Sequence, residues 1–389
     1  MQLEVYYFIV LAFTVVTVRS ITQNDLIISD GDQLQFLING RESRTLTLDS
    51  YNASKLSALA YDPATKKLFF SDLRHLHGHI FSVNLDEESP NLVKDIVEKN
   101  SNETVESLTY DPVDKMLFWV DGFNRSIRRI RIDHDDDPSD EKAGVIEIVH
   151  FLNDEDKPQG IVSDPCTRML YWTNIYNSRP VIERSFLNGS QREILIETDL
   201  LRPILLALDV MEQRLYWAES LRNGYFHIMR SFVNGSERET IYRGLGQIVI
   251  SLTVGDDFVY WSDYNHKKIW CLRKDGSSRS PLSLGTFRNP ALGLVVSRHQ
   301  PVNCTMMAEE GQAEKSFAEK SEIITIAVCL TGTCLILMGI VAALIFRVWK
   351  SMGCQRLTFV SNKNEDDTFP FHYFDDYSNS YAMVDKATP

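Results

Sequence analysis

The chain has 389 residues, a formal net charge of −13 and an aromatic share of 11%. This length exceeds one ordinary domain and suits one large repeat domain with a tail. The acidic balance, without any clustered stripe of lysine and arginine, excludes a phosphate-binding face, so no nucleic-acid partner is expected.

Residues 1–20 hold an apolar run from Val5 to Val18 and end in Val18-Arg19-Ser20, which reads as a secretory signal peptide cleaved after Ser20. Glu4 and the absence of a basic side chain before the run leave an uncleaved anchor as the other reading. Residues 34–38 and 44–48 look like outer strands lacking their inner pair.

Five related segments follow. They are Leu68-Phe69-Phe70-Ser71-Asp72, Leu117-Phe118-Trp119-Val120-Asp121, Leu170-Tyr171-Trp172-Thr173-Asn174, Leu215-Tyr216-Trp217-Ala218-Glu219 and Val259-Tyr260-Trp261-Ser262-Asp263. A recurrence every ~50 residues marks a repeat architecture. In the third repeat Gly160 to Ser163 reads as a first strand, Asp164 to Arg168 as a turn and Met169 to Thr173 as a second strand. Val181 to Phe186 reads as a third, the hairpin turn Asn188-Gly189 follows, and Arg192 to Ile196 forms a fourth. The fourth repeat keeps the plan with the turn Asn234-Gly235, and Asp275-Gly276 fills that place in the fifth.

A unit this short cannot bury both faces, so neighbouring four-stranded sheets must pack around an axis. Ala291 to Val296 supplies an inner-type strand with no continuation. Joined to the N-terminal outer strands it completes a sixth blade and removes exposed sheet edges. The expected fold is therefore all-β, a six-bladed propeller over residues 21–300. The insertion from His134 to Glu141 is acidic; its spacing matches no calcium cage, so it is read as a solvated loop and no metal is assigned.

Residues 301–322 are polar and read as an extracellular stalk. Residues 323–346 are apolar and would span about 36 Å as a helix, enough for a ~30 Å hydrocarbon core. Arg347, Lys350 and Arg356 follow, whereas the preceding flank is rich in glutamate, which places the N-terminal part outside. The expectation is a type I single-pass protein of the plasma membrane. Six Asn-x-Ser/Thr glycosylation acceptors, at Asn52, Asn102, Asn124, Asn188, Asn234 and Asn303, all precede the span.

Three cysteines precede the span, so one disulfide leaves a thiol over. Cys271 with Cys304 is the preferred pair, tying the last blade to the stalk, with Cys166 buried and inert; an intermolecular bridge is the alternative. Residues 347–389 form a cytoplasmic tail with too few aliphatic residues for a core. Within it Cys354 is a candidate for palmitoylation. Tyr381-Ala382-Met383-Val384 has the Tyr-x-x-apolar form of a clathrin-adaptor sorting signal, with Tyr381 and Val384 as its anchors. Tyr373 and Tyr377, beside Asp375 and Asp376, are alternative phosphorylation sites.

The triplets Tyr61-Asp62-Pro63, Tyr110-Asp111-Pro112 and Ser163-Asp164-Pro165, each followed by its aromatic segment, resemble the YWTD, or LDL-receptor class B, repeat over most of residues 26 to 300. The resemblance implies a six-bladed propeller. Within that family the chain is similar to single-pass insect membrane proteins with one propeller, which implies a role in gamete formation. Those proteins carry EGF-like modules after the propeller, and residues 301–322, with one cysteine, have no room for one.

The recurring Asp72, Asp121, Asn174, Glu219 and Asp263 are read as structural acceptors, since a catalytic site would break the repeat. No nucleophile motif, phosphate loop or zinc signature occurs, so neither an enzyme nor a cofactor is expected. A calcium-dependent propeller hydrolase is the contrasting class. By the family's geometry, the loops after the motifs and those linking blades share one face. Arg74, His75, His77, Phe123, Tyr176, Arg222, Tyr225, Tyr264, His266 and Lys267 lie on it as candidate contacts for an extracellular protein ligand. A glycan at Asn124 would narrow that face. The tail is expected to engage a clathrin adaptor; a structural adhesion protein with a passive tail is the alternative.

Overall fold

The structure, a computed structural model, describes residues 26–297 except 49–50, 52, 74–79, 87–92, 98–103, 133–144 and 177–178, together with Cys304, residues 336–348 and Lys350. The chain divides into two compact units, 1–312 and 313–389.

The first unit is a ring of six four-stranded antiparallel sheets. The N-terminus supplies β1 (Leu26–Asp30), β2 (Gln33–Ile38) and β3 (Arg41–Thr47). Blade I is β4 (Leu56–Asp62), β5 (Lys67–Asp72), β6 (Ile80–Asn84) and β7 (Lys94–Val97). Blade II is β8 (Ser107–Asp111), β9 (Met116–Asp121), β10 (Ser126–Arg131) and β11 (Glu147–Phe151). Blade III is β12 (Pro158–Asp164), β13 (Met169–Tyr176), β14 (Arg179–Phe186) and β15 (Glu193–Ile196). Blade IV is β16 (Pro203–Asp209), β17 (Arg214–Ser220), β18 (Tyr225–Phe232) and β19 (Glu239–Leu245). Blade V is β20 (Val249–Val254), β21 (Phe258–Asp263), β22 (Lys268–Arg273) and β23 (Leu282–Thr286). Finally β24 (Leu294–Val296) joins β1 to complete blade VI, with Leu26 opposite Val296 and Ile28 opposite Leu294.

The closure expected from the sequence is present, with one addition. Leu26-Ile27-Ile28-Ser29-Asp30 is a sixth copy of the repeated segment, carrying isoleucines where the others carry aromatics, so only the innermost strand of blade VI comes from the C-terminal side. Each second strand is buried along nearly its whole length, because both of its faces meet a neighbouring blade; β9 is buried at all six positions. Successive side chains point to opposite faces, so each segment serves two gaps. Tyr171 packs towards blade IV with Trp217, and Trp172 packs towards blade II with Phe118. In blade VI Ile27 joins the gap to blade I beside Phe70, and Ile28 joins the gap to blade V beside Tyr260. A fully buried aromatic of this kind contributes about 2–3 kcal/mol. Fourth strands at the rim are mostly exposed instead, as in β15, where only Ile196 is buried.

The turns are as read from the sequence. Gly189 and Gly235 in the Asn-Gly turns, and Gly276 in the Asp-Gly turn, take φ of +85°, +82° and +72°. The turns between first and second strands are held by an aspartate. Asp62 accepts from the Ala64 amide and the Thr65 hydroxyl, and Asp164 from the Cys166 amide and the Thr167 hydroxyl. Blades latch at the same level. Arg168 donates to Asp111 of the preceding blade, Gln213 to Asp164, and the buried Lys274 to Asp209.

The expected Cys271–Cys304 disulfide is not formed. Cys166 pairs with Cys304, with Cα atoms 5.1 Å apart and a sequence separation of 138. Cys271 lies in β22 with its thiol in the core between blades V and VI, and burial pushes that thiol up to about 11. Cys166, expected to be buried, is only half-buried in the turn between β12 and β13, where Cys304 meets it.

In the second unit, residues 336–348 are helical and expose their aliphatic side chains. Residues 323–335 lie outside the described residues, and no described helix is long and apolar enough to cross a membrane. The signal peptide at 1–20, the insertion at 134–141, Cys354, and the tail with Tyr381 and Val384 also lie outside the described residues.

Candidate functional site

Each motif ends in a buried acceptor whose partner is the linker arriving from the preceding blade. Asp72 accepts from the amides of Ser54 and Lys55 at 2.8 and 2.9 Å. Asp121 accepts from Thr104, Asn174 from Lys157, Glu219 from Leu201 and Asp263 from Ile248, at 2.9–3.4 Å. Asp30 does the same for Arg288 and Asn289. These groups organise one face, on which the loops between second and third strands meet the interblade linkers. They satisfy backbone donors that burial would otherwise orphan, which is the structural role expected of them.

On this loop face Phe123, Tyr225 and Tyr264 are exposed at 58%, 51% and 46%, and Arg222, His266 and Lys267 are exposed as well. His266 Nδ1 lies 2.6 Å from the Asp263 carboxylate, which fixes its ring, and Lys267 Nζ donates to the Arg288 carbonyl at 3.1 Å. Arg74, His75 and His77 lie outside the described residues, and of Tyr176 only its place in β13 is described. The described candidates do not converge on one point. Phe123 stands on blade II, and the others lie on blades IV and V.

The sequence reading missed Leu73, Phe151, Leu201, Leu245 and Ile248, which are also large, apolar and exposed at this face. Leu201 and Ile248 stand in interblade linkers, where polar residues are the rule, and that is the signal that could have found them. Phe151 and Leu245 close fourth strands and read as ordinary strand residues.

Phe123 and Asn124 border a depression of about 670 Å³ that also involves Glu106, Arg125, Lys157 and Gln159. The central channel, about 220 Å³, is lined by the six innermost strands, chiefly with aliphatic, serine and threonine side chains and with Glu106 at blade II. Among the described residues no group of three or more His, Cys, Asp or Glu is placed to hold a metal.

Of the glycosylation acceptors, Asn124 is exposed on the loop face, its amide donating to Asp121 at 2.7 Å. Asn188 and Asn234 occupy the same exposed hairpin turn in blades III and IV, at the opposite end of the strands. Each side-chain carbonyl there accepts from the amide and hydroxyl of the serine two residues on, at 2.9 and 2.7 Å. Asn52, Asn102 and Asn303 lie outside the described residues.

No family model matches the chain. The chain is homologous to the protein cueball of Drosophila virilis, 28% identical over 284 residues that make up 70% of this chain and 43% of that protein. It is 29% identical over 239 residues to cueball of Drosophila ananassae, covering 61% of this chain and 36% of the relative. The chain thus spans less than half the length of these curated relatives. Among solved structures, a chain of the nidogen/laminin complex superposes with a TM-score of 0.58 at 18% identity, covering 72% of this chain and all of that one. TolB from Acinetobacter baumannii gives 0.54 at 11% identity, covering 74% and 69%. At these identities the likeness is one of fold.

Proposed function

We propose that this cueball homologue is a single-pass cell-surface glycoprotein whose propeller captures an extracellular protein on the loop face, with a tail that engages a clathrin adaptor and governs uptake. The observation that carries the reading is the set of large apolar side chains exposed there, Phe123, Tyr225 and Tyr264 among them, on a scaffold whose repeated acceptors hold the loops rigid. Aromatic anchors on a pre-organised surface are what protein recognition uses. The nidogen/laminin neighbour belongs to a complex of two proteins, which fits. The exposed aliphatic helix at 336–348 and the basic residues beside it support a membrane anchor.

The test uses the full chain, tagged at residue 21 and expressed in cells, with soluble extracellular proteins offered as prey. The tag is expected to stain without permeabilisation. Capture is expected to fall when Phe123, Tyr225 and Tyr264 are changed to Ala, and Tyr381→Ala is expected to lengthen surface residence. A tag seen only after permeabilisation would overturn the membrane topology. Capture untouched by the three alanines would overturn the loop face, and unchanged residence would leave an adhesion protein with a passive tail.

A further inference from the structure

The loop face is uneven in charge. On blades IV and V it carries Arg202, Arg222, Arg243, Lys267 and Arg288, all exposed, and none of them forms an ion pair among the described residues. Elsewhere on the ring several cations are matched, although Lys157 and Arg179, exposed on the same face at blade III, also form no ion pair among the described residues. Arg129 pairs with Glu147, Arg184 with Glu193, Arg230 with Glu239, and Lys274 with Asp209 and Glu212. The loops and linkers of this arc contain two exposed carboxylates, Glu197 and Asp199, and Asp199 is taken up by Arg238. In a chain of net charge −13, this arc gathers five exposed cations without a carboxylate partner, of which Lys267 also donates to the Arg288 carbonyl.

The same arc holds an apolar strip of two adjacent pairs. Tyr225 faces Leu245 in register, the Gly246 amide donates to the Gly224 carbonyl at 2.9 Å, and the Tyr264 amide donates to the Ile248 carbonyl at 2.9 Å. These bonds set Tyr225 beside Leu245 and Ile248 beside Tyr264, each about half exposed or more.

Sugar placement favours the same region independently. Asn52 and Asn102 fall in sequence between β3 and β4 and between β7 and β8, Asn124 is on blade II, and Asn188 and Asn234 are at the opposite end of their blades. No acceptor falls in the loops of the arc.

Resting on the reading of the loop face as a protein-binding surface, we propose that the arc across blades IV and V is the docking surface for an acidic protein segment bearing aliphatic or aromatic anchors. The cations steer and align carboxylates, and the apolar strip buries the anchors between them. A sulfated glycan would use the cations and leave Leu245 and Ile248 without a partner, so the peptide is the better fit.

The test presents the purified full chain, in detergent, to immobilised synthetic 12-residue peptides in which net charge and apolar content vary independently, with heparin alongside. Acidic peptides with apolar residues are expected to be retained above all others. The triple change Arg222→Glu, Arg243→Glu and Arg288→Glu is expected to weaken them about tenfold or more. Arg125→Glu, on the same face at blade II, is expected to leave them unchanged. An unaltered thermal transition in the triple variant confirms that folding is intact. The proposal is overturned if neutral or basic peptides bind equally, if acidic peptides without apolar residues bind as well, if heparin alone is retained, if no acidic peptide is held, or if the triple change has no effect. Capture of a protein ligand that depends on Phe123 and not on the three arginines would remove the arc while leaving the receptor reading intact.

Discussion

The Asp30 carboxylate accepts a hydrogen bond from the backbone amide of Asn289, 2.6 Å away and 259 positions along the chain. The Arg288 amide reaches the same carboxylate at 3.3 Å, and Gln35 donates to it at 2.8 Å. One side chain thus anchors the linker that carries the last strand into blade VI. Asp30→Ala leaves these donors in a partly buried place without an acceptor, and about 2 kcal/mol of stability should go with it. Asp30→Asn keeps one acceptor oxygen, as Asn174 does in blade III, and should lose less. Denaturant unfolding of the two variants gives the order; equal losses would contradict it.

Innermost strands approach closely where a glycine permits it. A Cβ at Gly293 would lie 2.3 Å from the Ser57 carbonyl of blade I, and one at Gly160 would lie 2.7 Å from the Leu206 amide of blade IV. Both obstacles are backbone and cannot swing away. Gly293→Ala and Gly160→Ala should each destabilise the ring by about 2–3 kcal/mol. Gly276→Ala, where no atom lies within 4 Å, should show only the strain of its +72° φ, a smaller loss.

Acid should weaken the ring through His150. Its Nε2 lies 2.9 Å from the Ser185 hydroxyl and its ring packs, tilted, 5.0 Å from the Trp172 ring. Burial, helped by the Arg192 charge and opposed by Glu183, pushes its pKa down to about 4. Between pH 6.5 and 4 the unfolded chain therefore takes up a proton that the folded chain refuses. This favours unfolding by up to about 3 kcal/mol at the acid end and has no effect above pH 6.5. His150→Gln should flatten this part of the profile, so the gap between denaturant midpoints at pH 7.5 and 4.5 should narrow. A gap of unchanged width would count against the assignment.

Peptide mapping under non-reducing conditions should recover Cys166 joined to Cys304, with Cys271 alkylated only after unfolding. Cys304→Ser should release Cys166 to alkylation, while Cys271→Ser should leave the bridge in place. Recovery of Cys271 in a bridge would refute the pairing.

How much of this was legible follows from where each residue's environment is set. Leu170 to Asn174 declares itself because a strand covered on both sides must be apolar throughout and must end in an acceptor for the next linker. Leu26 to Asp30 meets the same demand with isoleucines, so a search for paired aromatics passes over it while the interblade gaps are filled as well. The disulfide was not legible, because the ring brings the blade III turn to Cys304, and nothing near either cysteine in sequence records that. Tyr225 and Tyr264 could be placed on the loop face from the repeat alone. Leu245 and Ile248 could not, since only the register with β18 and the Tyr264 contact show that they stand beside those tyrosines.

The Cys166–Cys304 bond also decides where a pull on the C-terminal side would be felt. Tension applied beyond residue 304 reaches the ring through the turn between β12 and β13, which is backed by the full width of blade III, and bypasses β24. That strand contributes only three residues, and without the bridge the same tension would unzip it from β1 one pair at a time. Oxidised, the molecule bears load on a whole sheet; reduced, it bears load on a seam of three residue pairs.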